Sequence, residues 1–531
     1  MEKLRSYAKS VPITLESWVI SFAGIVLVRT FFEQFSSFEP GRFVLIDMPT
    51  IIHYLVFYLT TIVVLMIILM SFSKTSIREV SAITIFGFFV IWIAPVVDFS
   101  SGGVGGHVMT YLFVSGKELL LRFVTFFGGH IASGITLGIQ IETLLGIIFC
   151  YVYTYIVTKN TYRAIGASVV FYFFIFFIVS TPSLIVLLSK TQKSVAVSIT
   201  QSIISSNIIQ NNINPNFTAT NLGLLDLGFN KLMIGINTIL AIFSVMLLFF
   251  LGAREKFMAV IKNSRPERIF HFFLLFILGA ALASPTWFMN WIDIQSYTLA
   301  FIAFICAWMF SVCQNDIYDE RIDAVSNKDR PLIEKVLSKN DLEVTSKIFL
   351  AFALLSAYAI SYYILFFTCF FLFIYYIYSN PPLRLKRFVI LNSFLVSLVC
   401  LSVIMAGFFL VNSDKAITAF PFNLVIAIII FFSMVSNIRD IKDIEGDRTD
   451  GIKTIPVLLG ARKAKKLIAG SIVLFFLLIP LYFHLSFLVI PSIIVSFLSW
   501  YFINEENYKE WKAFVVYMIY LIFIIGTIIF K

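Results

Sequence analysis

Apolar segments of about 20 residues recur along the whole 531-residue chain, with short polar loops between them. Hydrophobic residues make up 59% of the sequence, charged residues make up 13%, and the mean hydropathy is +0.93. A soluble core could not enclose so many apolar side chains, whereas helices of this length can cross a lipid bilayer. The segments also lack the strict alternation of a transmembrane β-barrel. The sequence therefore predicts an all-α, polytopic membrane protein with about fifteen transmembrane helices.

The predicted spans form two groups, six in the first half of the chain and nine in the second. The first six lie near 14–35, 50–73, 80–99, 139–158, 163–188 and 232–252. The other nine lie near 269–286, 294–313, 344–362, 363–379, 388–411, 421–438, 465–483, 486–503 and 512–530. A basic linker that contains proline, Arg254 to Arg268, separates the groups. We therefore expect an N-terminal membrane module at 1–255 and a second domain at 256–531.

Two stretches in the first half differ from the spans in composition. Residues 100–138 are rich in glycine and too broken to span, so we expect a re-entrant or interfacial segment. Residues 190–229 are polar and are predicted to form an extramembrane loop. Asn216 in this loop begins an Asn-Phe-Thr tripeptide that fits the glycosylation sequon, which is a weak signal because such tripeptides are common.

The distribution of charge indicates the orientation of the chain and argues against a nucleic-acid partner. The formal net charge is +10, but Lys and Arg cluster in short loops between apolar segments, which is typical of the cytoplasmic side of a membrane protein. In the second half these loops fall almost entirely on one side of the predicted spans. We therefore expect a multi-pass protein of the cytoplasmic (cell) membrane, with a cytoplasmic N-terminus.

Two aspartate clusters with identical spacing lie at the ends of predicted spans, on the side assigned to the cytoplasm. Their members are Asp316, Asp319 and Asp323 in the first cluster and Asp440, Asp443 and Asp447 in the second. In each cluster the spacing i, i+3, i+7 places three carboxylates on one face of a continuous helix. Such carboxylates repel one another unless a cation lies among them, and Mg²⁺ prefers oxygen ligands, usually together with phosphate. Two facing clusters would hold a diphosphate through bridging metal ions.

A basic turn lies between the two clusters in the sequence. It reads Tyr378-Ser379-Asn380-Pro381-Pro382-Leu383-Arg384-Leu385-Lys386. The two prolines end the preceding helix and force a turn, which presents Arg384 and Lys386 on the same side as the carboxylates. Arginine offers a bidentate fork to phosphate and lysine offers a compact point charge. Carboxylates and cations together predict a clamp for a diphosphate whose apolar tail lies in the membrane.

These three motifs, in this order, resemble the UbiA superfamily of intramembrane prenyltransferases. The resemblance extends to Asp329-Arg330-Pro331-Leu332 after the first cluster and to Gly451-Ile452-Lys453-Thr454-Ile455-Pro456 after the second. It covers roughly the second half of the chain and implies a bundle of nine helices there. The module at 1–255 resembles no family that we recognise.

The resemblance also implies roles for individual residues. Asn315 and the first aspartate cluster would hold one Mg²⁺, and the second cluster would hold another. Arg384 and Lys386, together with Lys453, would bind the diphosphate, with Asn315 beside it, and Tyr378 would line the reaction centre. The implied reaction transfers a polyprenyl group, geranylgeranyl or longer, from its diphosphate to a polar or aromatic acceptor, as in archaeal-type lipid, tetrapyrrole or quinone biosynthesis.

Other interpretations of the same residues remain open at this point. Either aspartate cluster alone could be a solvated helix end, and the cations of the turn could be topology anchors. The second half could also be an intramembrane terpene cyclase, or a non-catalytic carrier or scaffold for a lipid diphosphate. In the first half, Asp98, His107, His130 and Glu142 could form a second site, but their spacing matches no known pattern, so a structural role is favoured.

Overall fold

The computed structural model describes residues 13–36, 47–101, 111–114, 116–128, 135–188, 194–212, 221–284 and 290–530. Within these ranges the chain is helical and contains no β-sheet. Fifteen of its helical segments are long and apolar enough to cross a membrane, six before residue 254 and nine after it. The prediction of an all-α polytopic protein with about fifteen transmembrane helices is therefore confirmed.

The chain divides into two compact units. The first unit comprises Met1–Ile209 and Pro215–Arg254, and the second comprises Gln210–Asn214 and Glu255–Lys531.

Ten α-helices lie within the described residues of the first unit. They are α1 (Leu15–Ser36), α2 (Met48–Ser73), α3 (Ile77–Phe88), α4 (Ile93–Ser100), α5 (Gly116–Val124), α6 (Leu137–Thr158), α7 (Thr161–Val179), α8 (Thr181–Leu188), α9 (Val195–Ile204) and α10 (Asn221–Gly252). Helix α2 packs against α10 and α7 at the centre of an apolar core. Polar side chains cap the helices where the sequence offers them, as Asp47 does for α2 and Asn160 does for α7.

Of the two expectations for the stretches between spans of the first unit, the one for residues 190–229 was partly wrong. Residues 190–229 are not a loop throughout, because they contain α9 and the start of α10, which begins at Asn221 rather than near 232. The apolar residues of α9 allow a short helix in a segment whose overall composition is polar. Within 100–138, the helix α5 is too short to span a bilayer, in line with the expectation of a segment that does not cross.

The polar residues buried in the first unit are mostly paired. His53 lies between Asn230, at 2.8 Å, and Tyr111, at 2.7 Å. Arg29 forms a buried ion pair of 3.1 Å with Glu33.

The alternative of a second site, against which a structural role was favoured, finds little support among the described residues. Asp98 accepts a hydrogen bond from the backbone N–H of Gly138 at 2.8 Å, which is a structural role. Glu142 lines a cavity of about 80 Å³ beside Arg29 and Glu33. His107, His130 and Asn216 lie outside the described residues.

The second unit contains the remaining helices. They are α11 (Arg254–Lys262), α12 (Pro266–Ala283), α13 (Trp291–Tyr318), α14 (Glu320–Ser326), α15 (Lys339–Ile360), α16 (Tyr362–Ser379), α17 (Val389–Val411), α18 (Phe422–Val435), α19 (Ile444–Thr449), α20 (Ile455–Leu459), α21 (Ala461–Tyr482), α22 (Val489–Asn504) and α23 (Glu510–Ile529). Capping boxes at Asn290 and Ser338 fix the starts of α13 and α15. Helix α13 packs on α15 and α16, and α12 packs on α17.

Two asparagines that precede α10 in the sequence belong structurally to the second unit. Asn212 Nδ2 donates to the carbonyl of Ile360 at 2.7 Å, and Asn211 Nδ2 donates to that of Leu410 at 3.4 Å. These carbonyls lie at the ends of α15 and α17, where helices leave acceptors without partners. The second unit therefore includes a segment that a simple cut at residue 255 would remove.

Two glycines allow the backbones of α12 and α17 to touch. A Cβ added to Gly279 would clash with the carbonyl of Ile404, and one added to Gly407 would clash with the carbonyl of Phe276. Close approach through small residues is how membrane helices pack when the hydrophobic effect contributes little between them.

We predict that Gly279→Ala and Gly407→Ala each lower the stability of the second unit by about 1–3 kcal/mol, because the new methyl group must push two backbones apart. Gly526→Ala is the matched control, since Gly526 lies in a helix of the same unit with open space around its Cα. The measurement is the apparent melting temperature in detergent, followed with a dye that reacts with newly exposed thiols, because four of the five cysteines are buried. Equal melting temperatures for all three variants would contradict the close packing.

Candidate functional site

Each aspartate cluster lies on a bent segment rather than on one straight helix. Helix α13 ends at Tyr318, Asp319 has φ −100° and ψ 12°, and α14 begins at the next residue. In the second cluster a 3₁₀ turn, Ser436–Ile441, is followed by Asp443 with φ −96° and ψ 10°, directly before α19. The prediction that three carboxylates share one face of a continuous helix is therefore wrong. Both clusters bend at their middle aspartate.

The two bends have the same local geometry and pack against each other. The N–H of Asp323 donates to the carbonyl of Asp319 at 2.8 Å, and the N–H of Asp447 donates to that of Asp443 at 2.8 Å. Helices α14 and α19 then pack together at Gly446, where an added Cβ would lie 2.9 Å from Cγ2 of Ile322. The absence of a side chain at the glycine of the Glu-Gly-Asp motif thus favours the close approach of the two clusters.

Protein cations already occupy two of the carboxylates of the first cluster. Asp316 is 1% exposed and accepts hydrogen bonds from Asn263, at 2.6 Å, and Arg265, at 2.8 Å. Asp319 forms ion pairs with Arg384, at 2.8 Å, and with Lys386. Buried carboxylates require such partners, because an unpaired charge away from water is strongly unfavourable.

Both arginines that pair with these aspartates have left-handed backbones. Arg265 has φ 53° and Arg384 has φ 42°, values that are uncommon for residues other than glycine. Backbone strain of this kind is kept where the surrounding structure holds it, often at functional sites. Here the ion pairs to Asp316 and Asp319 hold it.

The third aspartate of each cluster lies where negative charge accumulates without full compensation. Burial, and next the charge of Asp316, raise the pKa of Asp323 to about 6. Burial, and next the charges of Asp440 and Asp443, raise the pKa of Asp447 to about 7. Burial also raises the pKa of Asp443 above its ordinary value. These carboxylates would gain most from an added cation.

A hydrogen-bonded network joins the second cluster to the basic turn. Asp440 pairs with Arg439 at 3.2 Å and accepts a hydrogen bond from Asn392 at 2.8 Å. Tyr378 Oη donates to Asn392 Oδ1 at 2.9 Å and accepts a hydrogen bond from Arg439 at 2.6 Å. The guanidinium of Arg439 also lies over the ring of Tyr378, 5.4 Å from its centroid. Tyr378 is thereby fixed against the second cluster.

One cavity of about 460 Å³ in the second unit collects most of the predicted site residues. Its wall includes Asn315, Asp319, Asp323, Tyr378, Lys386, Asp440, Asp443 and Asp447. Asp316 and Arg384 are not part of the wall, but each pairs with a residue of the wall, Asp316 with Arg265 and Arg384 with Asp319. Lys453 is exposed and its side chain is not part of the wall. The deeper wall is apolar and aromatic, with Phe272, Trp308, Phe432 and Phe514 among its members.

The carboxylates fit Mg²⁺ only if the ligand set is completed from elsewhere. Among the described residues, no three Asp, Glu, His or Cys side chains are close enough to hold a metal ion by themselves. Mg²⁺ commonly uses one or two carboxylates together with waters and substrate phosphates. Asp443, whose Oδ1 is buried without a hydrogen-bond partner in the described chain, is suited to such a partial site.

The sequence interpretation assigned no role to several residues of this site. Asn263, Arg265, Asn392 and Arg439 all contact the clusters or Tyr378. Asn392 is a polar residue within the predicted span 388–411, a signal that could have marked it, since such residues usually face a functional interior. Arg439 directly follows the predicted span 421–438 and carries no such signal. Asn263 and Arg265 carry no local signal beyond the basic linker that contains them.

Comparison with known proteins finds similarity to one family in this region. The sequence model of the UbiA prenyltransferase family matches residues 272–524. The probable homogentisate phytyltransferase 2 (chloroplastic) of Oryza sativa subsp. japonica is 27% identical over 204 residues, or 37% of this chain and 54% of that protein. Digeranylgeranylglyceryl phosphate synthase of Natronomonas pharaonis is 25% identical, over 35% of this chain and 65% of that protein.

A third relative is the chloroplastic 2-acyl-4-prenylphloroglucinol 6-prenyltransferase of Humulus lupulus. It is 33% identical over 160 residues, or 28% of this chain and 38% of that protein. The chain thus spans from 38% to 65% of the length of the curated relatives it matches.

Similar solved structures include a UbiA homolog from Archaeoglobus fulgidus bound to GPP and Mg²⁺. It has a TM-score of 0.41 and 20% identity, and the similarity covers 51% of this chain and 99% of that one. An apo UbiA homolog from Aeropyrum pernix K1 has a TM-score of 0.38 and 23% identity, covering 49% and 96%. The model of the UbiA prenyltransferase family thus matches most of the C-terminal half of this chain.

Proposed function

We propose that the second unit transfers a polyprenyl group from its diphosphate to a polar or aromatic acceptor within the membrane, in a reaction that depends on Mg²⁺. The observation that carries this proposal is the pair of aspartate bends that line one cavity together with Lys386 and Tyr378. The relatives are all named as prenyl-transferring or isoprenoid-lipid enzymes, which supports the reaction class. Their acceptors differ, so the names alone do not choose one.

The charges of the cavity suit a diphosphate. In the described conformation Arg384 and Lys386 both pair with Asp319. We propose that the first cluster with Asn315 holds one Mg²⁺ and that the second cluster holds another, as the resemblance implies. Bound Mg²⁺ supplies positive charge that stabilises the departing diphosphate. Arg384 and Lys386 can then turn from Asp319 to the phosphate oxygens. The phosphate thereby replaces the Asp319 carboxylate as their anionic partner.

The reaction breaks the bond between the allylic carbon and the diphosphate oxygen and leaves an allylic carbocation. The acceptor forms the new bond with its electron pair and loses a proton. Arg384 and Lys386 stabilise the negative charge that develops on the leaving group. The aromatic wall, which includes Phe272 and Trp308, accepts the apolar chain and excludes water from the cation.

The location and the modular organisation are part of the same proposal. The positive-inside pattern supports a cytoplasmic mouth for the cavity and a cytoplasmic N-terminus. Residues 1–255 are proposed to be a separate membrane module, and 256–531 the prenyltransferase domain. Because Asn211 and Asn212 are bound to the second unit, the activity of that unit is best measured in the full-length protein.

We expect Asp319→Asn and Asp443→Asn each to lower prenyl transfer at least about 100-fold, because each removes a carboxylate charge from a bend that faces the cavity. The assay uses labelled geranylgeranyl diphosphate, Mg²⁺ and an acceptor panel in nanodiscs. Glu343→Gln is the matched control, an exposed carboxylate outside the cavity wall. Diphosphate release that yields a hydrocarbon or alcohol without acceptor would indicate a cyclase, and a wild type that neither releases diphosphate nor transfers the prenyl group would favour a carrier. Full activity in both aspartate variants would contradict the role proposed for the two clusters.

A second pair of variants separates the two lysines assigned to the diphosphate. Lys386→Met should lower transfer at least about 100-fold, because Lys386 is buried in the cavity wall next to Asp319. Lys453→Met should change it by less than about threefold, because that side chain is exposed and outside the wall. Steady-state rates with saturating acceptor measure the difference. Equal losses in the two variants would contradict the geometry.

Metal binding should depend on pH with a defined sign. The pKa values of Asp323, about 6, and Asp447, about 7, are raised in the folded state, so the metal-free protein loses stability as pH rises through that range. Mg²⁺ binds the deprotonated carboxylates and offsets this loss. We therefore expect the increase in melting temperature caused by Mg²⁺ to grow from roughly pH 5.5 to roughly pH 8. An increase that is constant or falls over this range would contradict the assignment.

A further inference from the structure

Two polar groups without partners lie in the aromatic part of the cavity, away from the aspartates. His271 is 7% exposed and Tyr517 is 2% exposed, and both are part of the cavity wall. Within the described chain, His271 Nδ1 and Tyr517 Oη have no hydrogen-bond partner. A buried polar group that is left unpaired destabilises the protein, so this arrangement calls for a polar ligand.

The surroundings of the two groups are aromatic. The His271 ring lies 5.4 Å from that of Tyr517, 5.5 Å from Phe514, 6.0 Å from Phe432 and 5.3 Å from Phe272, measured between centroids. Aromatic rings at these separations favour stacked or edge-on contact with another planar ring. A planar ligand with one polar edge would match both features.

The contact on the other side of the imidazole indicates which ring nitrogen is the acceptor. His271 Nε2 lies 3.7 Å from Sγ of Cys400. With the proton assigned to Nε2, directed at this sulfur, Nδ1 carries a free lone pair. Tyr517 Oη keeps a proton to donate. The pair therefore offers one acceptor and one donor side by side, which a single hydroxyl group satisfies, since a hydroxyl both donates and accepts.

We propose that His271 and Tyr517 form the recognition site for the acceptor and bind a hydroxyl group on a neutral aromatic ring. This inference rests on the proposed prenyl transfer. The acceptor hydroxyl donates to His271 Nδ1 and accepts from Tyr517 Oη, while its ring packs against Phe272, Phe432 and Phe514. The pair positions the acceptor in the aromatic part of the cavity, next to the aspartates and cations that hold the diphosphate. The allylic carbon of the donor enters the apolar part of the cavity there.

Two other occupants fit this position less well. A prenyl tail is entirely apolar and would leave both polar groups unpaired. A phosphate-bearing lipid headgroup would need free cations. Lys386 and Arg439 lie beside the aspartates. Arg268, whose guanidinium lies 4.4 Å from the centroid of the Phe514 ring, is already paired with Glu510. A hydroxylated aromatic ring leaves neither polar group unpaired and needs no cation.

The test compares hydroxylated and methylated probes in the full-length protein. The probes are a naphthalenediol and its dimethyl ether. Their binding to the protein in nanodiscs is measured by calorimetry, without prenyl diphosphate or metal. The wild type should bind the diol about tenfold more tightly than the ether. Tyr517→Phe and His271→Phe should reduce this preference to about twofold or less, because each removes one hydrogen-bond partner. His271→Gln, which retains an acceptor oxygen, should recover part of it.

Tyr520→Phe is the matched control. Tyr520 lies in the same helix, and its hydroxyl pairs with Ser492 at 2.7 Å outside the cavity wall. Its preference for the diol should equal that of the wild type. A preference that survives in both Tyr517→Phe and His271→Phe, or a wild type that binds diol and ether equally, overturns the proposal.

A kinetic measurement separates the acceptor site from a site for the prenyl tail. With the acceptor site, Tyr517→Phe raises the KM of the hydroxylated acceptor about tenfold and leaves the KM of the prenyl diphosphate unchanged. If the KM of the prenyl diphosphate changes instead, His271 and Tyr517 contact the prenyl tail and the proposal fails. Failure of prenyl transfer itself would be recognised independently, because the binding experiment requires no turnover.

Discussion

The pairing of buried carboxylates with protein cations is the interaction on which the second unit depends. Asp316 and Asp319 are almost fully buried, and each is held by an arginine whose backbone is left-handed. Removing one partner of such a pair leaves a charge that neither water nor protein compensates. The same pairs keep the cavity ready for an anionic ligand, since a metal-bound diphosphate can take over the partners on both sides. Stability in the absence of ligand and the proposed chemistry therefore use the same side chains.

The two bends explain how a repeated spacing becomes a single site. A straight helix would carry the three aspartates of each cluster along one ridge. Instead, the chain turns at Asp319 and at Asp443, and the short helices that follow meet at Gly446. The bends thus direct the third aspartates, Asp323 and Asp447, toward one cavity. The raised pKa values of these two carboxyls follow from this crowding and from burial.

The sequence predicted the membrane spans well because hydropathy and length are local properties. All fifteen spans were expected from apolar segments, and their ends moved by only a few residues, apart from α10, which starts earlier, and the span predicted at 163–188, which divides into α7 and α8. The aspartates, Arg384 and Lys386 were likewise visible as motifs. The bends, the role of Asn392 and the exposure of Lys453 were not, because they depend on how distant helices pack. His271 and Tyr517 come together from opposite ends of the second unit, which no local pattern reveals.

The central claim is that the ion pairs of Asp319 exchange for a metal-bound diphosphate. It is tested most directly by the structure of the full-length protein with Mg²⁺ and a non-hydrolysable geranylgeranyl diphosphate analogue. The diphosphate should lie between the bends at Asp319 and Asp443. Arg384 and Lys386 should have turned from Asp319 to the diphosphate oxygens. A diphosphate bound elsewhere, or one bound at the bends while both cations remain on Asp319, would contradict it.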